Sequence, residues 1–413
     1  MKLLLVAYFY PPCRDTGALR PASMASWLAR LGHEVTVLTT SAYGEQEVVG
    51  VDVVRTADAA RLRKGRGDAP VGSMFDADIY TGRPHPLSRI LVPEPLVLAW
   101  APFARRRALR LQRDRRFDAV ITTSPPESAH LVGRALSRRG VPWVADVRDA
   151  WTFEPLRPRF PTAPQRRLDQ WLERRWLGAA NAVVCVSEPA AEDLRRRGIA
   201  NPELIPNGWD PDLAPEPDAA GEAVFDPGRV SLLYTGRFGS YGRDPGPLVD
   251  GLARLARDEP AAAAKLELVI AGPLTEAEAE LFERDVAPAR IVRAGSVSRE
   301  RALALQRGAE ALLLVAHRTR SQLLNIKLFE YLASGKPILA LAAGTDAGRV
   351  VEEVGGETVP ADDPAAIAAA LALLTRGELN PPAPDAVAAY AYPAPAERMA
   401  ATVETAISSR RSP

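Results

Sequence analysis

Short apolar runs alternate along the chain with longer stretches in which apolar residues return at every third or fourth position. The runs have the length of buried strands, and the longer stretches have the period of helices packed on one face. In the first half, residues 3–8 predict a strand. A loop through Gly17 leads into a helix over residues 20–31, Gly32-His33 closes it, and residues 34–39 predict the next strand. Residues 118–122, 143–146 and 181–186 continue the series, whereas residues 58–90 are polar, Gly-rich and assign no element. Pro206-Asn207-Gly208 closes this half, and the Pro, Asp, Gly and Ala content of residues 211–229 reads as a linker or surface excursion. A second series follows at residues 230–235, 266–271, 290–292, 311–315 and 338–341. A final helix is predicted over residues 394–408, with Met399, Val403 and Ile407 on one face. Strand and helix in alternation specify an α/β fold of parallel sheets covered on both faces. Two such series predict two facing Rossmann-like domains, with the active site in the cleft between them. The expected division is 1–207, 208–390 and a C-terminal helix within 391–413.

Composition agrees with this picture and narrows it. At 413 residues the chain exceeds one ordinary core, and 47% hydrophobic with 25% charged residues is neither disordered nor coiled-coil composition. The apolar run after Met1-Lys2 stops at Pro11-Pro12 with no small-residue cleavage site, so it reads as a strand rather than a signal peptide. No run reaches the roughly 18 apolar residues of a membrane span. Cys13 and Cys185 are too few and too distant for a metal or disulfide framework, and His33, His85, His130 and His317 have no ligand spacing. A cytoplasmic protein without a bound metal is expected. Net charge is +1, but residues 1–210 carry 31 Lys and Arg against 23 Asp and Glu, and the remainder 21 against 28. The first half is suited to an anionic partner, while the neutral total argues against nucleic acid.

Several clusters carry candidate chemistry. Residues 325–337 predict a helix over 324–334 that stops at Gly335 and Pro337, with Lys327 and Glu330 three apart on one face. The bland reading of that spacing is a solvated ion pair. Arg237 follows one predicted strand and Arg243 precedes the next helix, a placement that brings two cations to the carboxyl edge of the second sheet. Gly17, Gly272 and the Gly295-Ser296-Val297 turn also follow strands, where backbone lacking a side chain can approach a phosphate. Asp146, Arg148, Asp149 and Trp151 crowd into one loop after a strand. They serve either as acid–base groups or as an internally paired loop. Leu96, Val97, Trp100, Phe103 and Ala104 repeat at helical spacing and run into Arg105, Arg106, Arg107, Arg110, Arg113, Arg115 and Arg116. This is either a solvated basic face or a segment that lies on an anionic membrane.

The stretch 325–337 resembles the signature of the retaining GT-B glycosyltransferases of family 4 type: Glu, seven residues, a second Glu, an Ala/Gly-rich helix and a Gly-x-Pro stop. Glu330 stands at the second Glu, Gln322 replaces the first, and Leu323-Leu324-Asn325 replaces the usual Gly-Phe-Gly. Lys327 fits a branch with Lys before Phe-Glu-Tyr, and Arg243 six residues after Arg237 fits the same branch. Pro206-Asn207-Gly208-Trp209-Asp210 is similar to the family's hinge. The resemblance implies that the second domain binds a nucleotide-sugar donor. Glu330 would hold the ribose, and Arg237, Arg243, Lys327 and Gly17 the pyrophosphate. Gly272, Ser296 and Val297 would hold the base, and Gln322, Leu323, Leu324 and Asn325 would border the sugar. It places Arg148 where relatives carry a His at the reacting sugar, makes Asp146, Arg148 and Asp149 the catalytic candidates, and returns the last helix to the first domain. Trp100, His130 and Trp151 are the acceptor-side candidates. The donor is a substrate, and neither cofactor nor metal is implied.

The expected function is transfer of a sugar, with retention, to an acceptor in envelope polysaccharide or glycolipid assembly, at the inner face of the membrane when the acceptor is lipid-linked. A small soluble acceptor, such as a natural product or a thiol cofactor precursor, is the nearest alternative. A nucleotide-sugar epimerase or a binding protein without transfer are alternatives of other classes.

Overall fold

A computed structural model describes residues 1–13, 16–59, 89–153, 159–199, 201–213, 224–238, 243–316, 324 and 326–411. The chain divides into two units, Met1–Asn207 with Tyr392–Pro413, and Gly208–Ala391.

The first unit contains β1 (Lys2–Val6), α1 (Leu19–Arg30), β2 (Glu34–Thr40), β3 (Asp52–Thr56), α2 (Leu96–Ala99), α3 (Ala101–Arg115), β4 (Ala119–Ser124), α4 (Ala129–Ser137), β5 (Trp143–Val147), α5 (Ala163–Leu177), β6 (Ala182–Cys185), α6 (Glu188–Arg196) and β7 (Glu203–Leu204). Its strands form one sheet in the order β3-β2-β1-β4-β5-β6-β7, and every pair is parallel. The second unit contains β8 (Val230–Thr235), α7 (Gly246–Asp258), α8 (Pro260–Ala263), β9 (Leu266–Ala271), α9 (Glu276–Leu281), β10 (Arg290–Gly295), α10 (Arg299–Gly308), β11 (Ala311–Val315), α11 (Ile326–Ser334), β12 (Ile338–Leu341), α12 (Asp346–Glu353), β13 (Glu357–Val359), α13 (Pro364–Thr375) and α14 (Pro384–Ala388). Its sheet runs β10-β9-β8-β11-β12-β13, again all parallel. Both are open doubly wound sheets, in which the strand order reverses beside the first strand.

Burial explains the apolar runs. Leu3, Leu4, Leu5 and Val6 are all buried because helices cover both faces of the first sheet. On one face Leu4, Val6, Val120 and Val144's neighbours Trp143 and Ala145 pack under α2, α3, α4 and α5, together with Trp100, Ala104, Val132 and Trp176. On the other lies α1, against which the last helix, α15 (Ala394–Arg411), packs. Trp27 of α1 stacks on Tyr392 there, with ring centroids 6.4 Å apart. Ends follow local chemistry. Thr162 and Gln165 form a reciprocal cap on α5, Ser187 caps α6, and Gly335 stops α11 at a φ of +67° that other residues adopt only with strain. No helix among the described residues is long and apolar enough to cross a membrane.

Candidate active site

In the second sheet the strand order reverses between β8 and β11. At such a point the loops leaving the two strands diverge and open a crevice at their carboxyl ends. Gly236 and Gly272 continue β8 and β9 here and touch through their backbones. A methyl group on Gly272 would lie 2.0 Å from the Gly236 carbonyl oxygen, and one on Gly236 2.5 Å from Lys327 Nζ. Gly236 also has a φ of +103°. No side chain therefore fits at either position without displacing backbone or the lysine.

The surrounding groups form a cationic pocket wall. Lys327, in the first turn of α11, places Nζ 4.5 Å from the centroid of the Tyr234 ring. Arg243 is buried against the same tyrosine and donates from Nη1 to the Arg237 carbonyl at 3.1 Å. The Tyr234 hydroxyl donates to that carbonyl at 2.7 Å, which fixes the turn. Arg237 itself points outward, so of the two arginines Arg243 is the one built into the wall. Burial, reinforced by Arg243 and opposed by Glu330, brings the Lys327 pKa down to about 7. No carboxylate among the described residues forms an ion pair with Lys327, and Glu330, one turn along the helix, is the acid whose charge acts on it.

Glu330 lies one turn further along α11. Its Oε1 accepts from Arg299 Nη2 at 3.2 Å. Burial raises its pKa, opposed by Arg299, Lys327 and Gln306. Beneath it, the Tyr331 hydroxyl meets Thr235 N and Oγ1 at 3.1 Å, and Gln306 donates to Thr235 Oγ1 at 3.2 Å. These bonds fasten α11 to the end of β8. Ser296 is exposed and Val297 half-buried just before α10, and Leu324 packs in the core. Gln322, Leu323 and Asn325 lie outside the described residues. Arg299 was not singled out in the sequence, although it follows the Gly295-Ser296-Val297 turn by two residues and its partner Glu330 was.

The first unit organises its loop residues differently from expectation. Asp146 is buried and its carboxylate is met by Arg20, through Nη2 at 2.8 Å and Nε at 3.1 Å, and by Thr123 Oγ1 at 2.8 Å. Burial pushes its carboxyl upward, but Arg20, Arg148 and Thr123 outweigh that and hold it below the usual range. The partner of Asp146 is thus Arg20 on α1, a residue the sequence reading did not select, rather than Arg148. Arg20 also donates to the Pro206 carbonyl at 2.8 Å. Arg148 donates to the carbonyls of Gly17, Ser124 and Pro125, tying together the loops after β1 and β4. Asp149 is exposed.

The three acceptor-side candidates are interior. Trp100 is fully buried and donates to Thr56 Oγ1 at 3.0 Å. Trp151 is buried and donates to Asp169 at 2.9 Å. His130 lies against Trp143 and Trp151 with Nδ1 2.8 Å from Thr122 Oγ1, and burial, opposed by Asp146, pushes its pKa down to about 3. All three side chains are packed in the interior of the first unit.

Residues 17–208 match the Glycosyl transferase 4-like domain and residues 229–376 the Glycosyl transferases group 1 family. The chain belongs to the GT-B glycosyltransferases, and its two parallel sheets are their two Rossmann-like domains. Among solved structures it is similar to a sucrose-phosphate synthase from Thermosynechococcus elongatus, at 17% identity over 99% of each chain with a TM-score of 0.61. An α,α-trehalose 6-phosphate synthase from Burkholderia multivorans matches at 13% identity, 99% of each chain and 0.61. Anabaena HepE, solved in complex with UDP and glucose, matches at 15%, covering 98% of this chain and 100% of that one, with 0.56. No curated protein matches the sequence.

Proposed function

We propose that the enzyme takes a nucleoside-diphosphate sugar at the carboxyl edge of its second sheet and transfers the sugar, with retention, to a glycolipid or envelope-polysaccharide acceptor on the cytoplasmic side of the membrane. The observation that carries this reading is Lys327, an ammonium held against Gly236 beside Arg243 with no carboxylate partner among the described residues. A diphosphate supplies the missing negative charge. During transfer the bond from the anomeric carbon to the β-phosphate oxygen breaks, and one to the acceptor oxygen forms on the same face of the sugar. The acceptor proton passes to the departing phosphate. Charge grows on that phosphate as the bond breaks, and fixed cations in a dry wall stabilise it more than water does. Two side-chain cations serve here where a divalent ion would otherwise be needed. Glu330 fits the ribose hydroxyls as an acceptor already oriented by Arg299. The similarity to a structure complexed with UDP and glucose makes a uridine diphosphate sugar the first donor to test.

Glu330→Ala is expected to weaken donor binding by about 1.5–3 kcal/mol, the contribution of hydrogen bonds to a charged group, or roughly tenfold to a hundredfold in Kd. Titration calorimetry of both proteins with the same donor reads this directly, and equal affinities would remove Glu330 from the site. Proton NMR of the product's anomeric signal tests retention, and an inverted anomer would refute it.

A further inference from the structure

The outward faces of α3, α4 and α5 form one strongly basic surface that the donor reading does not use. The three helices lie side by side, α3 against α4 and α4 against α5. On α3 the outward positions are Arg106, Arg110 and Arg113, at i, i+4 and i+7, while Ala104, Ala108 and Leu111 face the core. On α5 Arg167, Trp171 and Arg174 repeat the same spacing, flanked by Leu168 and Arg175. None of these arginines pairs with a described carboxylate. The acids of the three helices are Asp114, Asp169 and Glu173, and only Asp114 is exposed. Asp169 accepts from Trp151, and Glu173 from Thr152 and Arg197, all inside the unit. Helix α5 therefore turns its acids inward and its bases outward, the reverse of a helix that neutralises its own surface. Between the helices Arg134 is half-buried beside Arg138 and Arg175, whose charges add to the effect of burial in lowering its pKa, and its Nε has no hydrogen-bond partner.

Apolar side chains sit among these bases. Trp171 is 51% exposed, Phe103 41%, Leu168 44%, Leu98 62% and Ile90 63%. Ile90 adjoins α5, since its carbonyl accepts from Gln165 at 3.3 Å. Guanidinium groups meet lipid phosphates while indole, phenyl and aliphatic groups enter the interface between headgroups and acyl chains. Nucleic acid would match the charge but leaves Leu98, Leu168 and Ile90 without apolar surroundings.

We propose that this α3–α4–α5 face docks the enzyme on an anionic phospholipid bilayer, with Trp171, Leu168 and Phe103 in the interface and the arginines on the headgroup phosphates. This deepens the reading of a lipid-linked acceptor, on which its biological meaning rests, and it adds α5, whose Trp171 carries no role in the donor site.

The full-length protein is to be sedimented with phosphatidylcholine vesicles, with and without phosphatidylglycerol. Binding is expected only to the anionic vesicles and is expected to weaken as salt is added. Joint replacement Arg167→Glu, Arg174→Glu and Arg175→Glu is expected to lower vesicle affinity at least about a hundredfold, from roughly 1 kcal/mol per basic residue at a charged surface. Trp171→Ser with Leu168→Ser is expected to lower it about tenfold or more. Both variants, altered only at exposed positions, are expected to bind donor as the unaltered protein does. Equal binding to neutral vesicles, no binding, undiminished binding by the charge-reversed variant, or retention by RNA or duplex DNA in place of vesicles would each overturn the proposal. Donor titration of the same samples separates that failure from a failure of the donor assignment.

Discussion

Replacing Lys327 by Met is expected to lower kcat/KM with the donor about a hundredfold to a thousandfold, the usual effect of removing one group that stabilises developing charge. The side chain does not hold the fold through an ion pair, because no described carboxylate pairs with it and its nearest neighbours are the Tyr234 ring, the Gly236 backbone and the Arg243 charge. Its pKa of about 7 gives the effect a sign in pH. Below that value the ammonium is present and attracts a diphosphate. Above it the unliganded enzyme loses the proton, so donor affinity falls as pH rises, and binding at mildly alkaline pH takes up a proton. Stability of the unliganded enzyme moves the other way. The unfolded chain keeps its lysine protonated up to the ordinary value of 10.5, so between about 7 and 10.5 it binds more protons than the folded chain and stability rises with pH. Lys327 is the group whose pKa burial brings into this window, beside the Arg243 charge and with Glu330 as the facing acid. Lys327→Arg is expected to retain binding and lose its pH dependence. Calorimetry in buffers of different ionisation enthalpy measures the proton uptake, and its absence would detach Lys327 from the diphosphate.

Asp146→Asn is expected to destabilise the protein by about 3–5 kcal/mol, because it leaves the Arg20 guanidinium buried without its counter-charge. Arg20→Met leaves the carboxylate stranded and is expected to cost a similar amount. The pair joins α1 to β5, and Arg20 continues to the Pro206 carbonyl, so the loss is felt where the first unit ends. Replacing both with apolar residues of similar volume is expected to recover much of the stability, since desolvation of the two charges is relieved together. Denaturant midpoints of the single and double variants read these values. A folded but inactive Asp146→Asn enzyme of unchanged midpoint would return Asp146 to a catalytic role.

Legibility in the sequence followed how local the deciding interactions are. β8, β11 and β12 lie where their apolar runs predict, because a strand buried on both faces carries its own signal. β3, β7 and β13 escaped notice. Asp52–Thr56 reads as polar alternation, Glu203–Leu204 and Glu357–Val359 are two and three residues long, and each strand is defined by the neighbour it pairs with. The same contrast holds at the sites. Gly236 and Gly272 follow strands and Lys327 and Glu330 share one helical turn, so sequence spacing already brings them to one edge. Trp100, Trp151 and His130 stand as acceptor-side candidates in the sequence, but their burial, with bonds from Trp100 to Thr56, from Trp151 to Asp169 and between His130 Nδ1 and Thr122, depends on packing that no local pattern records. Charged residues misled in the same manner: the burial of Arg20 with Asp146 depends on a contact across 126 positions, which no local pattern records.

Titration calorimetry of the purified enzyme against UDP-, GDP-, TDP- and ADP-sugars tests the central claim, that the edge formed by Gly236, Arg243, Lys327 and Glu330 binds a nucleoside-diphosphate sugar. One base class is expected to bind in the micromolar range at neutral pH, with affinity lost in Lys327→Met. A folded enzyme that binds none of the four, or binds one with undiminished affinity after Lys327→Met, would contradict it.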